Sequence, residues 1–224
     1  MFRDRADAGR RLGEALRERN LARPYVLAIP RGGVVVGYEV AAALGAPLDV
    51  IVPRKLRAPL NPELAIGAVA HDGSVYLDER LVKALDVPRD YLEQELAYQS
   101  EEIQRRMRAY RGDASPPLLE GMTAIVVDDG IATGSTMIAA LRAARRAGPR
   151  LLVAAVPVAP PEGAARLRLE ADEALVLETP PLFYAVGQFY DDFAQTDDHE
   201  VIALLVRRRR ELGLDAPGSA RTLH

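Results

Sequence analysis

Short apolar runs alternate with stretches of helical period along most of the chain. Ala8, Leu12 and Leu16 recur four residues apart and predict an N-terminal helix. Residues 25–29 form a continuous apolar run, read as a buried strand. Pro30-Arg31-Gly32-Gly33 breaks that run, 34–44 is helical and 48–52 predicts a second strand. Residues 53–63 carry prolines at 53, 59 and 62 among charged side chains and predict a loop. Two strand patterns, 65–70 and 74–77, flank His71-Asp72-Gly73 as in a hairpin. The stretch 78–111 is charged and helical, with Pro88 placed to open its second helix. A linker at 112–121 follows. Then come a strand at 123–127, a helix at 135–147 closed by Gly148, a strand at 151–158, a helix at 162–170 and a strand at 173–177. Residues 179–195 are aromatic and irregular. Asp197 and Glu200 stand at capping-box spacing at the start of a last helix, 197–212, and 216–224 reads as a frayed tail.

Strands alternating with helices predict an α/β fold, a mostly parallel central sheet with helices on both faces. Ligands of such sheets bind beyond the carboxyl ends of the strands, which directs attention to the loops at 30–33 and 128–136. A length of 224 residues fits one large domain over 1–224. With 29 basic against 32 acidic residues the net charge is −3, so bulk electrostatics offers nothing to nucleic acid. The absence of Cys excludes disulfides, thiolate metal sites and a Cys nucleophile. No apolar run reaches the roughly 18 residues of a membrane span, and residues 1–19 lack the apolar core of a secretory signal. A cytoplasmic protein is the expectation.

The chemistry concentrates in residues 124–137, Ala-Ile-Val-Val-Asp-Asp-Gly-Ile-Ala-Thr-Gly-Ser-Thr-Met. A buried strand ends in two carboxylates, Asp128 and Asp129, and a loop of small and hydroxyl residues then opens a helix. Small residues let backbone N–H groups wrap a phosphate, and a helix N-terminus favours the anion. Two adjacent carboxylates repel a phosphate but suit ribose hydroxyls, or a Mg²⁺ held among substrate oxygens. The combination asks for a sugar phosphate with free hydroxyls. The loop lacks the Lys of a Walker A motif, residues 32–37 do not make a dinucleotide fingerprint, and His71, His199 and His224 have no metal-ligand spacing.

Residues 126–136 resemble the phosphoribosyl-diphosphate (PRPP) signature of type I phosphoribosyltransferases, and the resemblance extends from about residue 25 to 192, excluding much of 78–121. It implies that Asp128 and Asp129 hold the ribose hydroxyls and that Gly130, Ile131, Ala132, Thr133, Gly134, Ser135 and Thr136 bind the 5′-phosphate. Arg31, Gly32 and Gly33 would bind pyrophosphate, and a mobile lid would carry Arg54, Lys55 and Arg57. A hood at about 179–195 would supply the base site through Tyr184, Phe183 and Val186, with Phe189 and Phe193 packing it. Mg²⁺ would arrive with PRPP, near Asp128, Asp129 and Asp191, through substrate or water. The helical insertion at about 78–112 reads as a cap or as a dimer contact, so a homodimer is allowed.

The implied activity is transfer of the 5-phosphoribosyl group from PRPP to a small nucleobase-like acceptor, with release of pyrophosphate, in nucleotide metabolism. Two departures bear on the acceptor. The hypoxanthine–guanine branch has an acid at the position of Ala132, and a Lys on the strand that here ends Val156-Pro157-Val158. Neither base-reading group is present, which disfavours those purines. The rival readings are a PRPP-sensing regulator without catalysis on the same fold, a relative of the PRPP-forming synthetases, and an interaction protein that uses 78–111 as its surface.

Overall fold

Continuous apolar runs of strand length suit a parallel sheet that is covered on both faces. The structure, a computed structural model, describes residues 1–112 and 116–214. The tail expected at 216–224, and residues 113–115 of the expected linker, lie outside the described residues. Helix α1 (Arg5–Arg17) is capped by Asp4, whose carboxylate accepts the Asp7 N–H at 2.7 Å. Strand β1 (Pro24–Ala28), helix α2 (Gly32–Leu44) and strand β2 (Leu48–Val50) follow. Strands β3 (Arg54–Ala58), β4 (Asn61–Val69) and β5 (Val75–Leu77) form a separate antiparallel sheet in that order. Helices α3 (Glu79–Ala84) and α4 (Arg89–Arg111) lead to β6 (Thr123–Val127) and α5 (Ser135–Arg146). Strand β7 (Leu151–Val158), helix α6 (Pro161–Glu170), strand β8 (Glu173–Glu178) and helix α7 (Asp198–Glu211) complete the chain.

The central sheet has the order β2-β1-β6-β7-β8, and every pairing is parallel. Alternate residues divide between its faces. Val26, Ala28, Ile125, Val127, Val153 and Ala155 join Leu12, Leu16, Val36, Val40, Val201 and Leu205 in one core. Leu27, Ala124, Val126, Leu152 and Ala154 join Met137, Leu141 and Leu167 in the other. Helices α1, α2 and α7 therefore cover one face and α5 and α6 the other, and each fully buried Leu contributes about 1.5–3 kcal/mol. Arg208 of α7 donates to the carbonyls of Ala46 (2.9 Å) and Ala41 (3.1 Å), completing the C-terminal end of α2. No helix among the described residues is long and apolar enough to cross a membrane.

The expected loop at 53–63 is instead most of a hairpin. β3 pairs with β4 through Lys55 opposite Ala68 and Leu56 opposite Gly67, and the register shifts on both sides of Arg57. Leu56 and Ala58 are buried, as are Ile66 and Ala68. Burial of these apolar positions decides the conformation. Pro59 sits in the turn and Pro62 in the irregular stretch between the Asn61 and Ala65 pairings, where a missing N–H breaks no ladder bond. Helix α4 clamps this hairpin. Glu95 accepts the Arg57 Nε at 2.8 Å and its Nη2 at 3.1 Å, Gln99 accepts the Arg54 Nε at 3.0 Å, and the Gln99 amide donates to Glu95 at 2.8 Å.

Candidate functional site

The parallel strands deliver their carboxyl ends to one edge, and β6 ends there in Asp128 and Asp129. The chain then crosses to β7, where the Ile131 N–H donates to the Val158 carbonyl at 3.1 Å. It turns through Gly134, at φ +80°, into α5. No side chain caps that helix, so its first N–H groups stay directed at whatever occupies the loop. A cavity of about 220 Å³ opens there. Its walls are Lys55, Asp128, residues 130–134, Thr136, Met137 and Val186. Ser135 lies just behind, its hydroxyl 3.4 Å from that of Thr133.

Residues distant in sequence thus meet. Lys55 comes from β3 and enters no ion pair among the described residues. Val186 comes from the 179–195 segment and closes over Gly130, where an added Cβ would fall 2.6 Å from the Val186 Cγ1. Only glycine fits at 130. The other two basic residues expected beside Lys55 turn away from the cavity, since Arg54 is bonded to Gln99 and Arg57 to Glu95. The shift of register at Arg57 explains why neighbouring positions on one strand diverge.

The turn after β1 lies against the acid pair. A Cβ on Gly32 would come within 2.1 Å of the Asp129 Oδ2, and one on Gly33 within 2.9 Å of the Asp128 Cα. The two glycines allow this approach, which a side chain at either position would forbid. Arg31 caps α2 through its backbone, its peptide bond with Pro30 is cis, and it makes no ion pair among the described residues.

Burial raises both carboxyls above the ordinary carboxylate range. The charge of Asp129 raises Asp128 further, while Arg5 pulls Asp129 back. The Arg5 Nε donates to the Asp129 Oδ2 at 2.7 Å. Arg5 is absent from the sequence reading because it lies 124 residues from Asp129, and no local pattern links them. Tyr190 was likewise not singled out. Its buried phenol donates to the Asp129 carbonyl, and burial, then the Asp129 charge, raises its pKa.

The 179–195 segment is packed by aromatic rings. Phe183 and Phe189 lie 5.0 Å apart, Tyr190 and Phe193 5.0 Å, and Tyr190 and Phe2 5.4 Å. The N-terminus holds it from below, since the Phe2 N–H donates to the Phe189 carbonyl and the Asp191 N–H to that of Phe2. Tyr184 is 86% exposed. Asp191 is exposed and does not line the cavity. Among the described residues no three acids or histidines converge as a metal-holding group. The acid pair alone therefore offers two carboxylates, a donor set that fits a Mg²⁺ completed by substrate phosphates and water.

The family model for the phosphoribosyl transferase domain matches residues 3–193. A Mycobacterium tuberculosis protein, recorded in strains H37Rv and CDC 1551 / Oshkosh under a provisional phosphoribosyl transferase name, is 44% identical over 211 residues. The match covers 94% of this chain and 48% of that protein, so the chain spans about half the length of the curated relatives it matches. The crystal structure of TT1426 from Thermus thermophilus superposes with a TM-score of 0.79 at 44% identity, covering 92% of this chain and 98% of that one. The strand order, the loop that joins paired acids to a helix N-terminus, and the match over 3–193 agree, and the chain belongs to the phosphoribosyl transferase domain family.

Proposed function

We propose that this protein binds PRPP with Mg²⁺ and transfers the 5-phosphoribosyl group to a ring nitrogen of a small nucleobase-like acceptor, releasing pyrophosphate. The observation that carries this reading is the convergence, in one cavity, of a strand-end carboxylate, an uncapped helix N-terminus and Lys55, which has no ion-pair partner among the described residues. In this reading the loop 130–136 takes the 5′-phosphate through its N–H groups and the Thr133, Ser135 and Thr136 hydroxyls. The acid pair takes the ribose hydroxyls. The N–H groups of Gly32 and Gly33, with the Arg31 cation, take the pyrophosphate beside the pair.

The acceptor nitrogen attacks C1, the C1–O bond to pyrophosphate breaks with inversion, and the nitrogen loses its proton to solvent or to the leaving group. Charge grows on the departing oxygens, where Lys55 and Arg31 stabilise it. Bound Mg²⁺, held by Asp128 and Asp129 directly or through water, supplies further neutralisation of the pyrophosphate. Segment 179–195 acts as the hood over the acceptor, and 78–112 is an insertion in a single domain. Ala132 and Val158 offer the acceptor no polar side chain, and the Val158 carbonyl is already taken by Ile131. Hypoxanthine and guanine are therefore disfavoured.

A pyrophosphate-release screen with PRPP, Mg²⁺ and a nucleobase library tests the reading. Turnover with one or a few bases supports it. PRPP binding with no release across the library replaces it with a sensing role, and absence of PRPP binding overturns it.

A further inference from the structure

Asp128 and Asp129 are neighbours in sequence but not equivalent in space. Asp128 lines the cavity and Asp129 does not. The Asp129 carboxylate faces Arg5, in the first turn of α1, and the side chains of the pair are only 12% (Arg5) and 16% (Asp129) exposed. The same guanidinium donates from Nη1 to the Ala194 carbonyl at 2.6 Å and lies over the Phe193 ring, its Cζ 3.7 Å from the centroid. One planar cation therefore joins three elements: the end of β6, the first helix and the 179–195 segment. It also helps to explain Gly32, where a Cβ would fall 2.5 Å from the Arg5 Nε.

Two adjacent, largely buried carboxylates repel one another. A guanidinium bonded to one of them removes much of that repulsion and leaves a single negative charge facing the cavity. We propose that Arg5 is a positioning residue of the site, which locks Asp129 and residues 193–194 into one unit and leaves Asp128 as the carboxylate presented to the ligand. This rests on the PRPP reading given above. It assigns Asp129 a supporting part within the pair, acting on the ribose through the geometry of Asp128 and of the Gly32-Gly33 turn.

The test combines calorimetric titration of Mg²⁺-PRPP with hydrogen exchange over residues 190–196, using Arg5→Met, Arg5→Lys, Asp128→Asn, Asp129→Asn and the double variant Arg5→Met/Asp129→Asn. Asp128→Asn is expected to lose measurable PRPP binding. Arg5→Met and Asp129→Asn should each weaken it about tenfold, the double variant no more than the weaker single one, because they remove one charge-assisted contact. Arg5→Lys should bind within about threefold of the wild type, since it keeps the charge but not the fork. Exchange at 190–196 should quicken in Arg5→Met. Wild-type affinity and exchange in Arg5→Met would overturn the proposal, as would a loss in Asp129→Asn equal to that in Asp128→Asn. If the wild type binds no PRPP, the functional reading fails by itself, and the exchange arm still decides whether Arg5 locks the segment. If Arg5→Met does not fold, Arg5→Lys and Asp129→Asn carry the comparison.

Discussion

Replacing Asp128 by Asn removes the carboxylate that lines the cavity while keeping its shape. A hydrogen bond to a charged acceptor is worth about 1.5–3 kcal/mol. Asp128→Asn should therefore raise the PRPP dissociation constant at least about tenfold with little change in melting temperature. Calorimetry that returns the wild-type constant would remove Asp128 from the site. Tyr184 and Phe183 form a contrasting pair. Tyr184 stands in solvent, its backbone N–H held by the Gln188 side chain at 2.8 Å, whereas Phe183 packs on Phe189. A base stacked on an aromatic ring gains about 1–3 kcal/mol. Tyr184→Ala should raise the Michaelis constant for the base roughly tenfold and leave the melting temperature alone, and Phe183→Ala should do the reverse. Measuring both quantities for both variants decides which ring faces the base.

At the scale of elements, α4 reads in the sequence as a charged helix with no evident task, and the structure makes it a brace. Its last residue, Arg111, donates to Asp49 at 2.8 Å and to the Val50 carbonyl at 2.9 Å, both within β2, and Tyr110 donates to Asp198 of α7 at 2.6 Å. The Arg111–Asp49 pair is almost fully buried. Removing one partner of such a pair typically costs about 3–5 kcal/mol, because the other charge is left without compensation. Arg111→Met should thus lower stability in denaturant unfolding by that order, and a change below about 1 kcal/mol would show the brace to be dispensable. The β3–β4 hairpin divides in the same spirit. Its base is buried through Leu56 and Ile66, while Leu60 in the turn is 99% exposed. Without ligand, hydrogen exchange should be slow at 55–57 and 66–69 and fast at 59–62, and PRPP with a pyrophosphate analogue should protect the turn. Uniformly slow exchange in both states would exclude a lid.

For the whole molecule, a parallel sheet of five strands brings the loops after β1 and β6 to one edge, with the antiparallel sheet supplying Lys55 beside them. With only two converging carboxylates among the described groups, the protein should hold Mg²⁺ weakly alone and tightly with PRPP. Titrating Mg²⁺ with and without PRPP checks this, and a tight site in the free protein would contradict it. The parallel strands and the helices that cover them were legible in the sequence, because apolar runs and helical periods are local properties. So was the phosphate loop, since paired acids, small residues and hydroxyls stand contiguous between Asp128 and Thr136. The hairpin at 53–63 was not, because its prolines and charges are local while the burial that orders Leu56 and Ala58 comes from distant partners. Nor could spacing separate Lys55, which reaches the cavity, from Arg54 and Arg57, which a shift in strand register and a clamp from α4 turn away. Arg5 meets Asp129 across 124 residues. Which element forms is set by neighbours along the chain, but which side chains face the ligand is set by contacts between elements, and those exist only once the sheet has assembled.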